Sequence, residues 1–359
     1  MKSPAVLPFD EILPALAQFD AIIDVRSPAE FAEDHLPGAI NCPVLDDAQR
    51  VQIGTMYKKI NAFEAKKLGA VLVAKNIAHH IETQFLDKPH DWKPLVYCWR
   101  GGNRSGAMAH ILAKVGWRVV QLDGGYKAYR SHVNTSLSVL PQNLHFRVLT
   151  GPTGSGKSRL LQTLVAQGAQ VLDLEDLAQH RGSVLGNLPS APQPSQKRFE
   201  SCLWELLRNF DADKPIFVES ESKKVGKLRV PEILMDKMRA SPCVAVSLSS
   251  AHRVQLLMGQ YTHFVRQPTL LNAQLDLLIP LHGKEKIAHW QQLALSGQMT
   301  ELVAELLERH YDPAYLQSVK RNFQHLSEAQ PLSLSDISEQ TFEQAAAELA
   351  VQLPTQSSV

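Results

Sequence analysis

The chain has 359 residues, of which 44% are hydrophobic, and a formal net charge of +1 at pH 7. This length suits two domains with an appendage, and the hydrophobic content is ample for packed cores. The near-neutral charge excludes a globally basic surface, so an RNA partner would have to be held by local basic patches.

Several features that the chain lacks indicate its cellular setting. The segment Met1–Pro4 has no signal-peptide pattern. No run of about 18 apolar residues predicts a membrane span. The four cysteines are scattered, and none stands at metal-ligand spacing. We therefore expect a cytoplasmic protein with reduced thiols, no membrane partner and no dedicated metal site.

Short predicted strands and helices alternate from residue 1 to residue 135, which is typical of an α/β domain. Residues 46–87 predict a long, mainly helical insertion within this domain. Apolar residues recur in the insertion near helical spacing, at Met56, Ile60, Phe63 and Leu68. The polar, proline-containing residues 136–144 predict a linker to the next domain.

A glycine-rich turn follows the apolar run Leu95–Tyr97 and leads into a predicted helix. Its cysteine, Cys98, is the candidate catalytic nucleophile, because a helix N-terminus and nearby arginines favour the reactive thiolate. Glycines let the backbone curl so that amides can face one negative charge. The anion loop consists of Arg100, Gly101, Gly102 and Arg104. The other three cysteines lack such surroundings and are predicted to be structural.

Residues 145–280 predict a P-loop domain with a parallel sheet, and residues 281–359 a helical C-terminal region. The strand His145–Thr150 runs into a Walker A sequence, Gly-x-x-x-x-Gly-Lys-Ser, in which amides cradle phosphates, the lysine reaches terminal phosphates and the serine can bind Mg²⁺. The predicted phosphate-binding residues are Gly151, Gly154, Gly156, Lys157 and Ser158.

A second buried strand, Pro215–Glu219, ends in carboxylates and stands where a Walker B strand is expected. Glu219 and Glu221 are the acidic residues at this strand end. Because the first acid is a glutamate instead of the usual aspartate, phosphate binding is favoured over phosphoryl transfer, and ATP binding stays open.

Local basic clusters are the candidates for RNA contact. The densest follows the acidic strand and consists of Lys223, Lys224, Lys227 and Arg229. Arg181 is a further candidate, in the segment Leu177–Ser183. The pairs Lys58-Lys59, Lys66-Lys67 and Lys320-Arg321 are alternatives, because clusters of this kind are often only solvated faces.

Three separated segments of the first domain, together with the Cys98 loop between them, resemble the rhodanese domain. They are Asp20–Phe31, His35–Asn41 and Val119–Tyr126. The rhodanese family carries sulfur as a persulfide on the loop cysteine. Five residues separate Cys98 from Arg104, one more than in many sulfurtransferase loops. Cysteine phosphatases of rhodanese-like fold also have this longer spacing.

The two loops, the Leu-Ala-x-His-Arg-Gly-Ser segment and the Glu-Ser-Glu-Ser sequence, taken in this order, resemble the tRNA 2-selenouridine synthase family. The resemblance implies a transferase that replaces sulfur by selenium in wobble 2-thiouridine of tRNA. It implies selenophosphate as selenium donor and an S-geranylated tRNA intermediate made from geranyl diphosphate. No tightly bound cofactor is implied, although Mg²⁺ can accompany the phosphates.

The role of each loop follows from this resemblance. The P-loop would bind the diphosphate or phosphate of a donor, and Cys98 would either carry the chalcogen or attack the activated carbon. Two other classes stay open. One is a cysteine phosphatase or anion reductase with a nucleotide-binding domain, and the other is a non-catalytic scaffold that binds RNA or nucleotide.

Overall fold

A parallel sheet organises the first unit of the chain, which consists of the residues up to Ser136 together with Ser195–Glu205. The computed structural model describes residues 3–183, 185–187 and 192–351. Neighbouring strands are parallel in the order β1-β5-β4-β2-β3. The strands are β1 Ala5–Leu7, β2 Ala21–Asp24, β3 Ala39–Asn41, β4 Pro94–Tyr97 and β5 Val120–Leu122.

Helices connect these strands and bury their apolar faces. The helices are α1 Phe9–Ile12, α2 Pro28–Glu33, α3 Asp47–Lys59, α4 Ala62–His80, α5 Asn103–Val115 and α6 Gly125–Leu137. Met108 and Leu112 of α5 pack with Ile23 and Val96 of the sheet in one buried cluster. The carboxyl ends of β2 and β4 therefore meet the beginnings of α2 and α5 at one edge, where ligands bind in open α/β sheets.

The insertion after β3 consists of α3, α4 and a following π turn over Ile81–Phe85. Asp46 caps α3 by accepting a hydrogen bond from the Gln49 amide at 2.7 Å, and Asn61 caps α4 by accepting one from the Phe63 amide at 2.8 Å. Such caps satisfy amides that have no partner in the first turn of a helix. The two capped starts divide the insertion into separate helices.

A second parallel sheet organises the other unit, Leu137–Pro194 and the residues from Leu206 onward. Its order is β12-β11-β6-β8-β7, and a separate antiparallel hairpin joins β9 to β10. The strands are β6 His145–Thr150, β7 Gln170–Leu172, β8 Pro215–Glu219, β9 Lys224–Val225, β10 Leu228–Arg229, β11 Cys243–Ser247 and β12 Gln330–Ser333.

Twelve further helices are described along this part of the chain, including one that begins in the first unit: α7 Lys157–Ala166, α8 Leu174–Ala178, α9 Gln196–Asn209, α10 Glu232–Arg239, α11 Ser250–Gln260, α12 Thr262–Arg266, α13 Pro268–Leu275, α14 Ile279–His282, α15 Lys284–Leu295, α16 Met299–Leu306, α17 Asp312–Asn322 and α18 Glu339–Val351. The buried face of α18 packs against α7, with Phe342 and Leu349 beside Leu160 and Leu164.

The α/β fold with two parallel sheets and a helical C-terminal region confirms the predicted fold class. Three features differ from the predicted domain organisation. Residues 195–205 add to the first unit, and α6 and a 3₁₀ turn over Leu140–Asn143 occupy much of the predicted linker. The C-terminal region also contributes β12 to the sheet, because its residues Gln330–Ser333 pair with β11. Residues 352–359 lie outside the described residues. Among the residues that are described, no helix is long and apolar enough to cross a membrane.

Candidate active site

Cys98 lies directly after β4, in the loop that leads to α5. The residue is only 4% exposed, and the Ser105 hydroxyl lies 3.2 Å from its Sγ, placed to donate a hydrogen bond. The Gln121 amide donates to the Gly101 carbonyl at 2.5 Å and to the Ser105 hydroxyl at 3.2 Å. The loop thiol is therefore held by Ser105 of α5, which Gln121 of β5 orients, and sequence reasoning assigned no role to either residue.

Close backbone approach explains two glycines of this site. Gly101 has φ +66° and Gly125 has φ +56°, in the left-handed region that favours glycine. A Cβ on Gly125 would lie 2.2 Å from the Cys98 carbonyl oxygen. The Tyr126 amide donates to that same oxygen at 2.8 Å. The beginning of α6 thus packs directly against the cysteine loop.

The two arginines of the anion loop have different surroundings. Arg100 is exposed, whereas the Arg104 guanidinium donates to Glu30 at 2.7 Å. Glu30 also caps α2 by accepting from the Ser27 amide. Burial acts to raise the pKa of Glu30, but the hydrogen bond and charge of Arg104 hold that pKa below its ordinary value. Much of the Arg104 charge is therefore balanced by Glu30.

A buried polar network supports the wall of the cysteine loop. Asp34 is fully buried and accepts hydrogen bonds from the hydroxyls of Tyr126 and Ser201, both at 2.8 Å. Burial raises the pKa of Asp34, although both hydroxyls act to lower it. The Arg130 guanidinium pairs with Glu200 beside this network. No local pattern in the sequence could reveal that residues near 200 contact residues near 34.

The P-loop follows β6 and leads into α7. Gly151, Gly154 and Gly156 have φ values of +150°, +78° and +95°, so the Walker A glycines adopt backbone conformations that other residues rarely adopt. The Lys157 ammonium donates to the Gly151 carbonyl at 2.6 Å. The Gly151 amide donates to the Tyr315 hydroxyl of α17.

Three carboxylates face the P-loop lysine. Oxygens of Glu175, Glu219 and Glu221 lie within 4.8 Å of one another, in a group that could hold a metal ion. Glu219 is 2% exposed and its Oε1 has no hydrogen-bond partner. The sequence predicted Glu219 and Glu221 but missed Glu175, which α8 supplies. It also predicted no dedicated metal site, and this cluster has the chemistry for one.

Crowding of these carboxylates shifts their protonation. Burial, and then the charge of Glu221, raise the pKa of Glu175 to about 8. Burial also raises the pKa of Glu219 well above its ordinary value. Burial lowers the pKa of Lys157, while the charges of the three glutamates oppose that change. Ser158 lies beside this cluster, with its hydroxyl 3.4 Å from Glu175.

Glu175→Gln is expected to stabilise the protein at pH 9 and to change its stability little at pH 5. Because the pKa of Glu175 is raised to about 8 from an ordinary 4.5, the folded protein is more stable when Glu175 is protonated. This contribution to stability is complete below the pKa of Glu175 in the unfolded chain, and it is lost as the pH rises through the pKa of Glu175 in the folded protein. Thermal unfolding at both pH values should show a rise in Tm of several degrees at pH 9 only.

The exposed Glu343 of α18 offers a matched control. Glu343→Gln should change Tm equally at the two pH values. A Glu175→Gln variant with the same Tm as the parent at pH 9 would contradict the raised pKa of Glu175.

Arginines border the polar cavity that contains the P-loop. Arg181, predicted to contact RNA, lines this cavity beside Lys157 and lies 4.8 Å above the ring of Tyr261. Arg253 of α11 donates to the Thr153 carbonyl at 2.7 Å and pairs with Asp312 at 2.6 Å. Arg253 is 6% exposed and therefore braces the P-loop backbone. No sequence motif indicates this residue.

The predicted basic cluster after β8 forms the hairpin of β9 and β10, which turns at Gly226 with φ +60°. All four of its basic residues are exposed. Lys223 pairs with Glu232 at 2.9 Å. The structure thus displays the cluster on an exposed hairpin after the acidic strand. The basic residues are Lys223, Lys224, Lys227 and Arg229.

An apolar pocket adjoins the polar cavity. The two spaces share the lining residues Thr153, Ser183, Leu257 and Tyr261. The rest of the pocket is lined by Leu185 and by side chains of α11, α12, α13, α16 and the turn that follows α16. An anion held in the P-loop would therefore have apolar space next to it.

Each half of the chain matches a known protein family. Residues 10–132 match the rhodanese-like domain family, and residues 144–275 match the tRNA 2-selenouridine synthase AAA domain. A tRNA 2-selenouridine synthase of Nitrosomonas europaea is 35% identical over 73% of this chain and 68% of its own length. The tRNA 2-selenouridine synthase of Cupriavidus necator is 36% identical over 82% of this chain and 87% of its own length. That of Sulfurovum sp. is 31% identical over 84% of this chain and 89% of its own length. This chain belongs to the tRNA 2-selenouridine synthase family.

Proposed function

We propose that this protein replaces the sulfur of 2-thiouridine at the wobble position of tRNA by selenium, in the cytoplasm, with selenophosphate as the selenium donor. Its membership in the family makes it a tRNA-modifying enzyme of the transferase type. The observation that carries the proposal is the combination of a buried loop thiol and a P-loop in one chain with relatives of that name. Neither of the alternative classes requires both.

We further propose that geranyl diphosphate is bound at the P-loop. The P-loop amides and Lys157 suit its diphosphate, since they place a cation and several donors at one spot. The apolar pocket beside the polar cavity suits its hydrocarbon chain. A nucleoside triphosphate would leave that pocket without an apolar partner, so the pocket favours the prenyl donor.

A divalent cation fits the carboxylate cluster. The unpartnered Glu219 oxygen and the short spacing of the three glutamates supply oxygen ligands of the kind that Mg²⁺ prefers. Glu175, Glu219, Glu221 and the Ser158 hydroxyl would hold it. The cation would offset negative charge on the phosphates, which Lys157 also does from the P-loop side.

The proposed chemistry has two steps. In the first, the thiocarbonyl sulfur of thiouridine attacks C1 of the geranyl group, the C–O bond breaks, and diphosphate leaves with the electron pair. The nucleobase then carries a thioether, which is a better leaving group than the original sulfur. In the second, the C–S bond at C2 of the base breaks, geranyl thiol leaves and the selenium of selenophosphate bonds to C2; water then cleaves the Se–P bond and releases phosphate. Cys98 assists the second step as nucleophile toward the activated carbon: its thiolate displaces geranyl thiol from C2, and selenium then displaces the thiolate.

Mass analysis of nucleosides tests the proposal. Thiouridine-containing tRNA is incubated with the protein, geranyl diphosphate and selenophosphate, and 2-selenouridine is the expected product. Release of phosphate from aryl phosphates with unchanged tRNA would instead indicate a cysteine phosphatase. Tight binding of tRNA without any chemical change would indicate a scaffold.

The exposed β9–β10 hairpin is proposed as a tRNA contact. Replacing its four basic residues by alanine should weaken tRNA binding and flatten its salt dependence, because each lost phosphate contact lowers the slope of log affinity against log salt by about 0.7 to 0.9. Affinity for geranyl diphosphate should change much less. Filter binding over a range of salt concentrations measures the slope. The variant replaces Lys223, Lys224, Lys227 and Arg229.

The helical insertion offers a control with the same loss of charge. Its exposed lysines are Lys58, Lys59, Lys66 and Lys67. Replacing these four should leave the salt slope near that of the parent. If the insertion variant flattens the slope and the hairpin variant does not, the tRNA surface lies on the insertion.

A further inference from the structure

The apolar pocket has one end at the P-loop. Leu257 of α11 lines both the pocket and the polar cavity. A Cβ added to Gly154 would lie 3.0 Å from the Leu257 side chain, so the two residues are in direct contact. Leu257 clusters there with Val254 and Leu307. A chain attached to a phosphate in the P-loop would enter the pocket past Leu257.

Met299 begins α16 and Leu307 follows its last residue, so about 12 Å of helix separates Met299 from the P-loop end of the pocket. Leu271 of α13 and Met299 of α16 line the pocket and are 4% and 6% exposed. Both belong to a buried cluster that also contains Trp290 and Leu302, which are fully buried and do not line the pocket. A chain that passes Leu271 and Met299 would therefore meet densely packed side chains.

We infer that Leu271 and Met299 form the end of the pocket that limits the length of the prenyl chain. This inference rests on the proposed function, because it requires a prenyl diphosphate at the P-loop. Its new content is the identity of the residues that select among prenyl donors. Leu271 and Met299 limit the length of the prenyl chain by filling space at its end remote from the diphosphate.

The expected selectivity for chain length rests on the free-energy cost of placing extra atoms in a densely packed protein interior. A chain longer by one five-carbon unit would have to displace Leu271 or Met299 into side chains that have no free volume around them. Shortening either residue opens space at the same end. Even one methylene group changes selection in an apolar pocket about tenfold or more, so a five-carbon unit allows a shift at least that large.

Met299→Ala and Leu271→Ala test the inference from two different helices. Calorimetry measures the affinity of each protein for inorganic diphosphate, geranyl diphosphate and farnesyl diphosphate, without tRNA. The ratio of farnesyl to geranyl affinity should rise about tenfold or more in both variants. Leu302→Ala is the matched control, because Leu302 is buried in the same cluster and on the same helix as Met299 but does not line the pocket. Thermal unfolding shows which variants remain folded.

The outcomes separate the inference from the proposed function. The role of Leu271 and Met299 is overturned if a folded variant keeps the parent's ratio of farnesyl to geranyl affinity while geranyl diphosphate still binds more tightly than inorganic diphosphate. An equal rise in Leu302→Ala also overturns it, because general loosening would then explain the change. If the parent binds geranyl diphosphate no better than inorganic diphosphate, the prenyl donor itself is wrong.

Discussion

Cys98→Ser is expected to abolish selenation of tRNA, by at least roughly 10³-fold, while the fold stays intact. A serine hydroxyl is scarcely ionised at neutral pH and is a far weaker nucleophile than a thiol. The replacement conserves shape at a site where the Ser105 hydroxyl already contacts Sγ at 3.2 Å. Mass analysis of 2-selenouridine measures the loss, and circular dichroism checks the fold.

The other cysteines supply controls with known surroundings. Burial raises the pKa of Cys42 to about 12 and also raises the pKa of Cys243, so neither thiol is ionised at neutral pH. Cys202 lies on α9, outside the loop, and burial raises its pKa as well. Serine at each of these positions should keep most of the activity. Wild-type selenation by Cys98→Ser would remove this residue from the mechanism.

Lys157→Ala should suppress geranylation and weaken binding of geranyl diphosphate tenfold or more. A charged contact with a phosphate contributes about 1.5 to 3 kcal/mol. The variant also removes the ammonium that faces Glu175, Glu219 and Glu221, of which Glu219 is buried and the other two are half-buried. Calorimetry with geranyl diphosphate and detection of geranylated tRNA measure the two effects.

Two comparisons isolate the role of Lys157. Lys214, an exposed lysine of the same unit paired with Asp211, should tolerate alanine without loss of donor binding. Cys98→Ser should still geranylate tRNA, since the thiol enters only at selenium exchange. Geranylated tRNA at normal yield from Lys157→Ala would refute the assignment of that step to the P-loop.

The parts of the site that depend on local chain geometry could be predicted from the sequence. The Cys98 loop and the Walker A loop each follow a strand and precede a helix, and Gly101 and the three Walker A glycines have the positive φ values that such turns require. The insertion is helical, although two of the apolar residues that indicated this, Ile60 and Phe63, are 73% and 66% exposed. Local patterns therefore predicted both loops and their order.

The remaining features depend on contacts between distant segments. Glu175 joins Glu219 and Glu221 because β7 and β8 are neighbours in the sheet, and no spacing in the chain reveals that pairing. The apolar pocket is assembled from several short helices that share no repeated pattern. The strand Gln330–Ser333 begins with glutamine and proline, and its place in the sheet comes from pairing with β11.

Completion of the first unit requires residues made much later in synthesis. Ser201 donates to Asp34, and Trp204 packs against Phe9 and Tyr129. While the ribosome is still making residues 137–194, the nascent first unit therefore lacks a buried tryptophan and a partner for an internal carboxylate. It would finish folding only after β6 and β7 of the second sheet had also been synthesised. Cutting the gene near codon 140 would yield an incomplete first unit, and exchange of whole domains between relatives would have to carry residues 195–205 with the N-terminal part.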